Sequence, residues 1–227
     1  MRNGGGRKAL IVFPGGGNPS TPLYSAVFSL IERGAIQHGY EYVDLSVRWR
    51  GHIECDQVLA PPLTLQSAVD TAVEYMSKYD GEGTPYDILA RSFGTYVALK
   101  SASTLRPKFL ERMILWGPPP FWRLWQLFVR DLDANLQMCR EKGLSLDQSF
   151  FPSLQPFESL LGEATYPLVI ASGTKDKYST PADIQYFEEL VKDKDNVGFR
   201  KVEGAIHEVT EDSPAEIVDA YVKGLFR

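Results

Sequence analysis

The sequence predicts an α/β protein built on a mainly parallel sheet of about six strands, and three observations carry that prediction. Short apolar runs recur along the chain, each followed by a turn and then by a segment whose apolar residues return at helical spacing. The runs are apolar almost throughout, as expected of strands buried on both faces. The order strand, turn, helix repeats to the end of the chain, which places helices on both sides of one sheet. A chain of 227 residues suits a single domain, 1–227, with one insertion, and can bury a substantial core.

The elements follow in order. Lys8 to Phe13 reads as the first strand, and its exit Pro14-Gly15-Gly16-Gly17 leads to a helix start at Ser20-Thr21-Pro22, with a hydroxyl for the cap and proline in the first turn. Tyr24, Val27, Phe28, Ile31 and Ala35 share one face of that helix. Tyr42 to Val47 is the second strand. After a loop with Arg48, Trp49, Arg50 and His52, a second helix carries Leu65, Ala68, Val69, Ala72, Val73 and Met76. The third strand runs through Ile88-Leu89-Ala90 and turns at once into a helix with Tyr96, Val97, Ala98, Leu99, Ala102 and Leu105. Arg112 to Trp116 is the fourth strand and Tyr166 to Ala171 the fifth. The next helix opens at Thr180-Pro181, where Asp183 reads as part of its cap. Val197 to Val202 is the sixth strand, and the last helix opens at Ser213-Pro214-Ala215-Glu216 with capping-box spacing.

Composition narrows the function. A net charge of -5 without any Lys/Arg cluster argues against nucleic acid as the main partner, so a small-molecule substrate is expected. No stretch approaches the roughly 20 apolar residues of a membrane span. The segment Arg2 to Phe13 has the outline of a short signal sequence but ends in Pro-Gly-Gly-Gly without an Ala-x-Ala site, and reads as a strand. Cys55 and Cys139 make neither a metal pattern nor a disulfide framework, and three histidines leave little for a metal site. A cytoplasmic, reducing location and a monomer or homodimer without metal or organic cofactor are the expectations.

The chemistry centres on Ala90-Arg91-Ser92-Phe93-Gly94. A strand that turns into a helix within two or three residues is sharply bent, so the side chain at the apex projects free while its neighbours two residues away must be small. Ala90 and Gly94 meet that need around Ser92. This small-x-Ser-x-Gly elbow resembles that of the α/β-hydrolases, with Ala90 in place of the more usual glycine. A serine hydroxyl needs a positioned base. His207 lies after the sixth strand, at the carboxyl edge where Ser92 emerges. His38, at the end of the first helix, belongs to the opposite edge, and His52 stays as a weak alternative base. The base in turn needs an acid that fixes its tautomer, and Asp176, just beyond the fifth strand, fits. The order Ser92, Asp176, His207 is that of the α/β-hydrolases.

That resemblance covers nearly the whole chain and implies an α/β-hydrolase fold, with no room for two strands ahead of the first. It also implies an oxyanion hole made by the amide of Phe93 and one from the loop after the first strand, at Gly16 or Gly15, where Pro14 stands in place of a frequent histidine. Residues 118 to 163 break the strand–helix rhythm where that family places a cap. Phe121, Leu124, Trp125, Phe128 and Leu132 fall on one helical face, while Trp122, Leu127 and Val129 widen it. The insertion reads as a lid with an aromatic inner surface, as a helical subdomain with its own core, or as both. Trp122, Trp125 and Arg91 are candidate substrate contacts. Arg91, Arg48 and Arg50 either meet an anionic substrate group or are solvated or paired structurally.

Together these features point to a serine hydrolase of carboxyl esters or thioesters with a small, partly apolar acid. Amide, peptide and carbon–carbon bond hydrolysis stay open, as does acyl transfer to an acceptor other than water. So do two readings from other classes, a ligand-binding protein with an idle triad and a scaffold that exposes the aromatic segment to a partner.

Overall fold

A computed structural model describes residues 7–15, 22–45, 61–141, 144–210 and 212–226. Gly16, Arg48, Arg50, His52, Cys55, the cap at Ser20-Thr21 and the end of the second strand expected at 46–47 lie outside them.

Six strands form one sheet in the order β2-β1-β3-β4-β5-β6, every pair parallel. They are β1 (Ala9–Phe13), β2 (Glu41–Asp44), β3 (Tyr86–Arg91), β4 (Leu110–Trp116), β5 (Leu168–Gly173) and β6 (Val197–Val202). Helices α1 (Pro22–Gln37), α2 (Leu65–Glu82) and α3 (Gly94–Leu105) connect the first four. The insertion after β4 holds α4 (Phe121–Leu124), α5 (Leu132–Glu141) and α6 (Phe157–Gly162), and α7 (Pro181–Val191) and α8 (Ala215–Phe226) follow β5 and β6. The chain steps from β1 outward to β2, then crosses back to the other side of β1 at β3 and moves steadily away. β1 and β3 therefore flank the point where strand order reverses, and the crevice outside their carboxyl ends is where open α/β sheets bind ligands.

Side-chain alternation sorts the core into two layers. Ile11, Phe13, Ile88, Ala90, Met113 and Leu115 face α2, α3 and α7, while Leu10, Val12, Leu89, Ile114 and Trp116 face α1 and α8. Burying each large apolar side chain of this kind contributes about 1.5–3 kcal/mol relative to exposure. Local chemistry sets the helix ends. Thr64 and Ser67 form a capping box at α2, which stops at Gly83 in the left-handed conformation, and Thr180 and Asp183 form another at α7 with Pro181 in its first turn.

Strand β5 departs from its expected limits at both ends. Pro167 has no N–H to give the ladder, so pairing begins at Leu168, whose amide donates to Asn196. It continues past Ala171 because Ser172 and Gly173 stay in register with Lys201 and Val202.

Within the insertion a π-helical turn (Trp125–Val129) separates α4 from α5. The single helical face expected from Phe121 to Leu132 is thus broken, because a π turn takes an extra residue and rotates everything beyond it. Leu124 is fully buried, whereas Trp122 and Trp125 are 44% and 50% exposed. The second half of the insertion joins the main core. Phe150 and Phe151 meet Phe93 edge to face at 5.4 Å each, and Phe157 meets Tyr96 at 5.3 Å and Phe187 at 5.4 Å.

Candidate active site

Ser92 stands between the end of β3 and the start of α3 with φ +50°, a left-handed conformation that non-glycine residues adopt only when their surroundings impose it. Those surroundings are specific. The Ser92 amide donates to the carbonyl of Trp116 (2.9 Å), and the Ser92 carbonyl accepts from the amide (3.2 Å) and hydroxyl (2.6 Å) of Thr95. A Cβ on Gly94 would lie 2.0 Å from the carbonyl oxygen of Pro14, so only glycine lets the exits of β1 and β3 approach this closely. Ala90 is fully buried and in register with Phe13 and Leu115, and the core accommodates its methyl group.

His207 and Asp176 meet on the loops after β6 and β5. His207 Nδ1 and Asp176 Oδ2 are 2.7 Å apart, and both residues are buried, at 6% and 4% exposure. The other carboxylate oxygen of Asp176 accepts the Tyr178 amide (2.7 Å), and the Tyr178 ring stands edge-on to the imidazole at 4.9 Å. The two loops are tied together: the amide of Thr174 donates to Val202, that of Lys175 to Ala205 (3.0 Å), and that of Gly204 to the Thr174 hydroxyl (2.8 Å). A dyad held in this way leaves Nε2 as the ring nitrogen not engaged by the acid.

The serine and the histidine share anchors. The carbonyl of His207 accepts from Arg91 Nη2 (2.9 Å) and Trp116 Nε1 (3.2 Å), and Trp116 is the residue whose own carbonyl holds the Ser92 amide. Gly117, next along, has φ +54°, and a Cβ there would sit 2.9 Å from His207 Nδ1 and 3.1 Å from Asp176 Oδ2. Gly117→Ala is therefore expected to combine backbone strain of about 1–3 kcal/mol with displacement of the dyad. The check is a lowered denaturation midpoint together with a fall in kcat on the same preparation; a variant unchanged in both refutes it.

The other singled-out residues divide. Phe93 is buried at the N-cap of α3, and Gly15 packs against Ser92 so closely that a Cβ on it would lie 2.9 Å from the serine Cβ. The Arg91 guanidinium is directed at the His207 backbone and is only 2% exposed. His38 sits at the far edge of the sheet, its Nδ1 2.8 Å from the Gly34 carbonyl and its ring stacked on Phe226. Asp183, besides capping α7, lies 3.2 Å from Arg123 Nε of α4, an ion pair from the body of the protein to the insertion. Tyr96 adds a second tie by donating to the carbonyl of Pro119 (2.8 Å). Among the described residues no cluster of His, Cys, Asp or Glu could hold a metal ion, and no helix is long and apolar enough to cross a membrane.

No family model and no curated relative matches the sequence, whereas many solved structures share its architecture. A bromoperoxidase from Bacillus anthracis superposes with TM-score 0.65 at 15% identity, covering 98% of this chain and 93% of that one. For a carboxylesterase of Nitrososphaera gargenis the values are 0.62, 14%, 96% and 90%, and for the Paleococcus ferrophilus monoacylglycerol lipase 0.59, 17%, 96% and 93%. The chain has the α/β-hydrolase fold. Sequence reasoning missed two parts of the site within this α/β-hydrolase fold, Gly117 and Tyr178. Gly117 reads in sequence only as the end of a strand, since its closeness to residues 176 and 207 is set by the pairing of β4 with β5. Tyr178 carries no local signal at all.

Proposed function

We propose that this chain is a serine hydrolase that cleaves carboxyl esters or thioesters of a small, partly apolar substrate. The observation that carries the reading is the buried His207–Asp176 hydrogen bond, anchored through Trp116 and Arg91 to the same backbone that holds Ser92 in its strained elbow. Ser92 Oγ attacks the carbonyl carbon while His207 Nε2 takes its proton, and Asp176 holds Nδ1–H and stabilises the imidazolium. The oxyanion of the tetrahedral intermediate accepts from the Phe93 amide and from Gly16 or Gly15. Its collapse passes the proton from His207 to the departing alcohol or thiol and leaves an acyl-serine. Water, deprotonated by His207, then attacks the acyl-serine and restores the free hydroxyl.

This chemistry calls for no metal or organic cofactor. The exposed Trp122 and Trp125 on the insertion supply an apolar surface for the acyl or alcohol part, with residues 118–163 acting as a cap tied down through Arg123 and Tyr96. The names of the carboxylesterase and lipase neighbours agree with the ester class. A fluorophosphonate probe followed by peptide mapping tests the reading. One phosphonyl adduct on Ser92, absent in Ser92→Ala and strongly slowed in His207→Ala, is the expected result, and a folded protein that takes no adduct overturns it.

A further inference from the structure

We infer that Arg91 is a positioning residue, which locks the main chain of the general base to the residue preceding the nucleophile, and that it does not read the substrate. The inference rests on the hydrolase reading of Ser92 and His207. Alternation along β3 puts Arg91 on the same side as Leu89, toward α1 and α8, and pairs it across the ladder with Trp116. Its guanidinium carbon lies 6.0 Å from the centre of the Phe28 ring of α1, and Trp116 beside it packs edge-on against Tyr221 of α8 at 4.5 Å. Burial pushes the Tyr221 hydroxyl's pKa up, and the Arg91 charge opposes that shift.

Among the described residues no carboxylate lies within ion-pair distance of Arg91. A buried cation without a counter-ion is costly, and this one directs a charged donor to a neutral acceptor, the His207 carbonyl. That carbonyl belongs to a loop with no ladder to hold it, and two side chains from adjacent strands supply its hydrogen bonds. Fixing the oxygen fixes the peptide plane, and with it the direction in which the imidazole leaves the chain. Because Arg91 immediately precedes Ser92, any shift of the elbow is transmitted to the base, and their separation is maintained.

The test compares wild type with Arg91→Met, Arg91→Lys and Trp116→Phe in two measurements. Steady-state kinetics use a neutral and an anionic p-nitrophenyl ester, and hydrogen exchange by mass spectrometry follows residues 204–210. Arg91→Met is expected to lower kcat by about 10²-fold for both esters with KM unchanged, since small misplacements of a catalytic group cost on that order. It should also speed exchange in 204–210. Arg91→Lys, which keeps a donor and the charge, should recover part of kcat, and Trp116→Phe should show the same pattern more weakly. A KM increase confined to the anionic ester overturns the inference in favour of substrate recognition, and unchanged exchange in 204–210 overturns it outright. Should Arg91→Met fail to fold, the same two readouts on Arg91→Lys and Trp116→Phe decide. Wild-type protein that neither hydrolyses esters nor takes the phosphonate sinks the hydrolase reading, while exchange still decides whether Arg91 anchors His207.

Discussion

Ser92→Ala is expected to lower kcat on the best ester substrate by on the order of 10⁶-fold, because removal of the nucleophile leaves only binding and oxyanion stabilisation to act on a water attack. KM should change little, since the hydroxyl contributes to bond making rather than to holding the acyl group. Stability should not fall. Alanine, like serine, is strained at φ +50°, and the backbone bonds from the Ser92 amide to Trp116 and from Thr95 to the Ser92 carbonyl do not involve the side-chain oxygen. Burst-phase kinetics and thermal unfolding on the same protein separate the two effects. Residual turnover close to that of wild type would place the chemistry elsewhere in the chain.

Asp176→Asn is expected to cost about 10⁴-fold in kcat at neutral pH. The carboxylate accepts at both oxygens, from His207 Nδ1 and from the Tyr178 amide, so the substitution keeps the shape and loses an acceptor. With the Tyr178 amide holding the amide oxygen, the new NH₂ group faces Nδ1 and can only donate, which turns the imidazole into the tautomer with its proton on Nε2. A base protonated on the nitrogen that faces the serine cannot take the serine's proton. The imidazole ¹⁵N shifts should report the tautomer directly, and phosphonylation of Ser92 should slow in parallel. Equal rates for Asp176→Asn and wild type would remove Asp176 from the mechanism.

Much of the architecture is legible in the sequence because period and punctuation are local properties. The strand–helix order, the cap at Thr180-Asp183 and the position of Ser92 at a bend all follow from residues within a few places of one another. Longer-range facts are not legible. That Arg91 turns away from the crevice follows from which face of β3 meets α1 and α8, and a sequence gives the alternation without saying which side lies toward the ligand. The start of the insertion reads as one helix because nothing in Trp125–Val129 announces a π turn, and that single extra residue separates the exposed tryptophans from the buried Leu124. Likewise Gly117 acquires its meaning only when β4 and β5 lie side by side, with the loops beyond β5 and β6 stitched across the gap.

The bond from Arg91 to His207 spans 116 positions, and the one from Trp116 spans 91. A growing polypeptide therefore completes its elbow long before the partner that activates it has been synthesised. Until β6 docks and Thr174 catches Gly204, the hydroxyl is chemically an ordinary alcohol. Reactivity arrives with the closing stages of folding, which keeps half-made molecules inert toward the acyl groups around them.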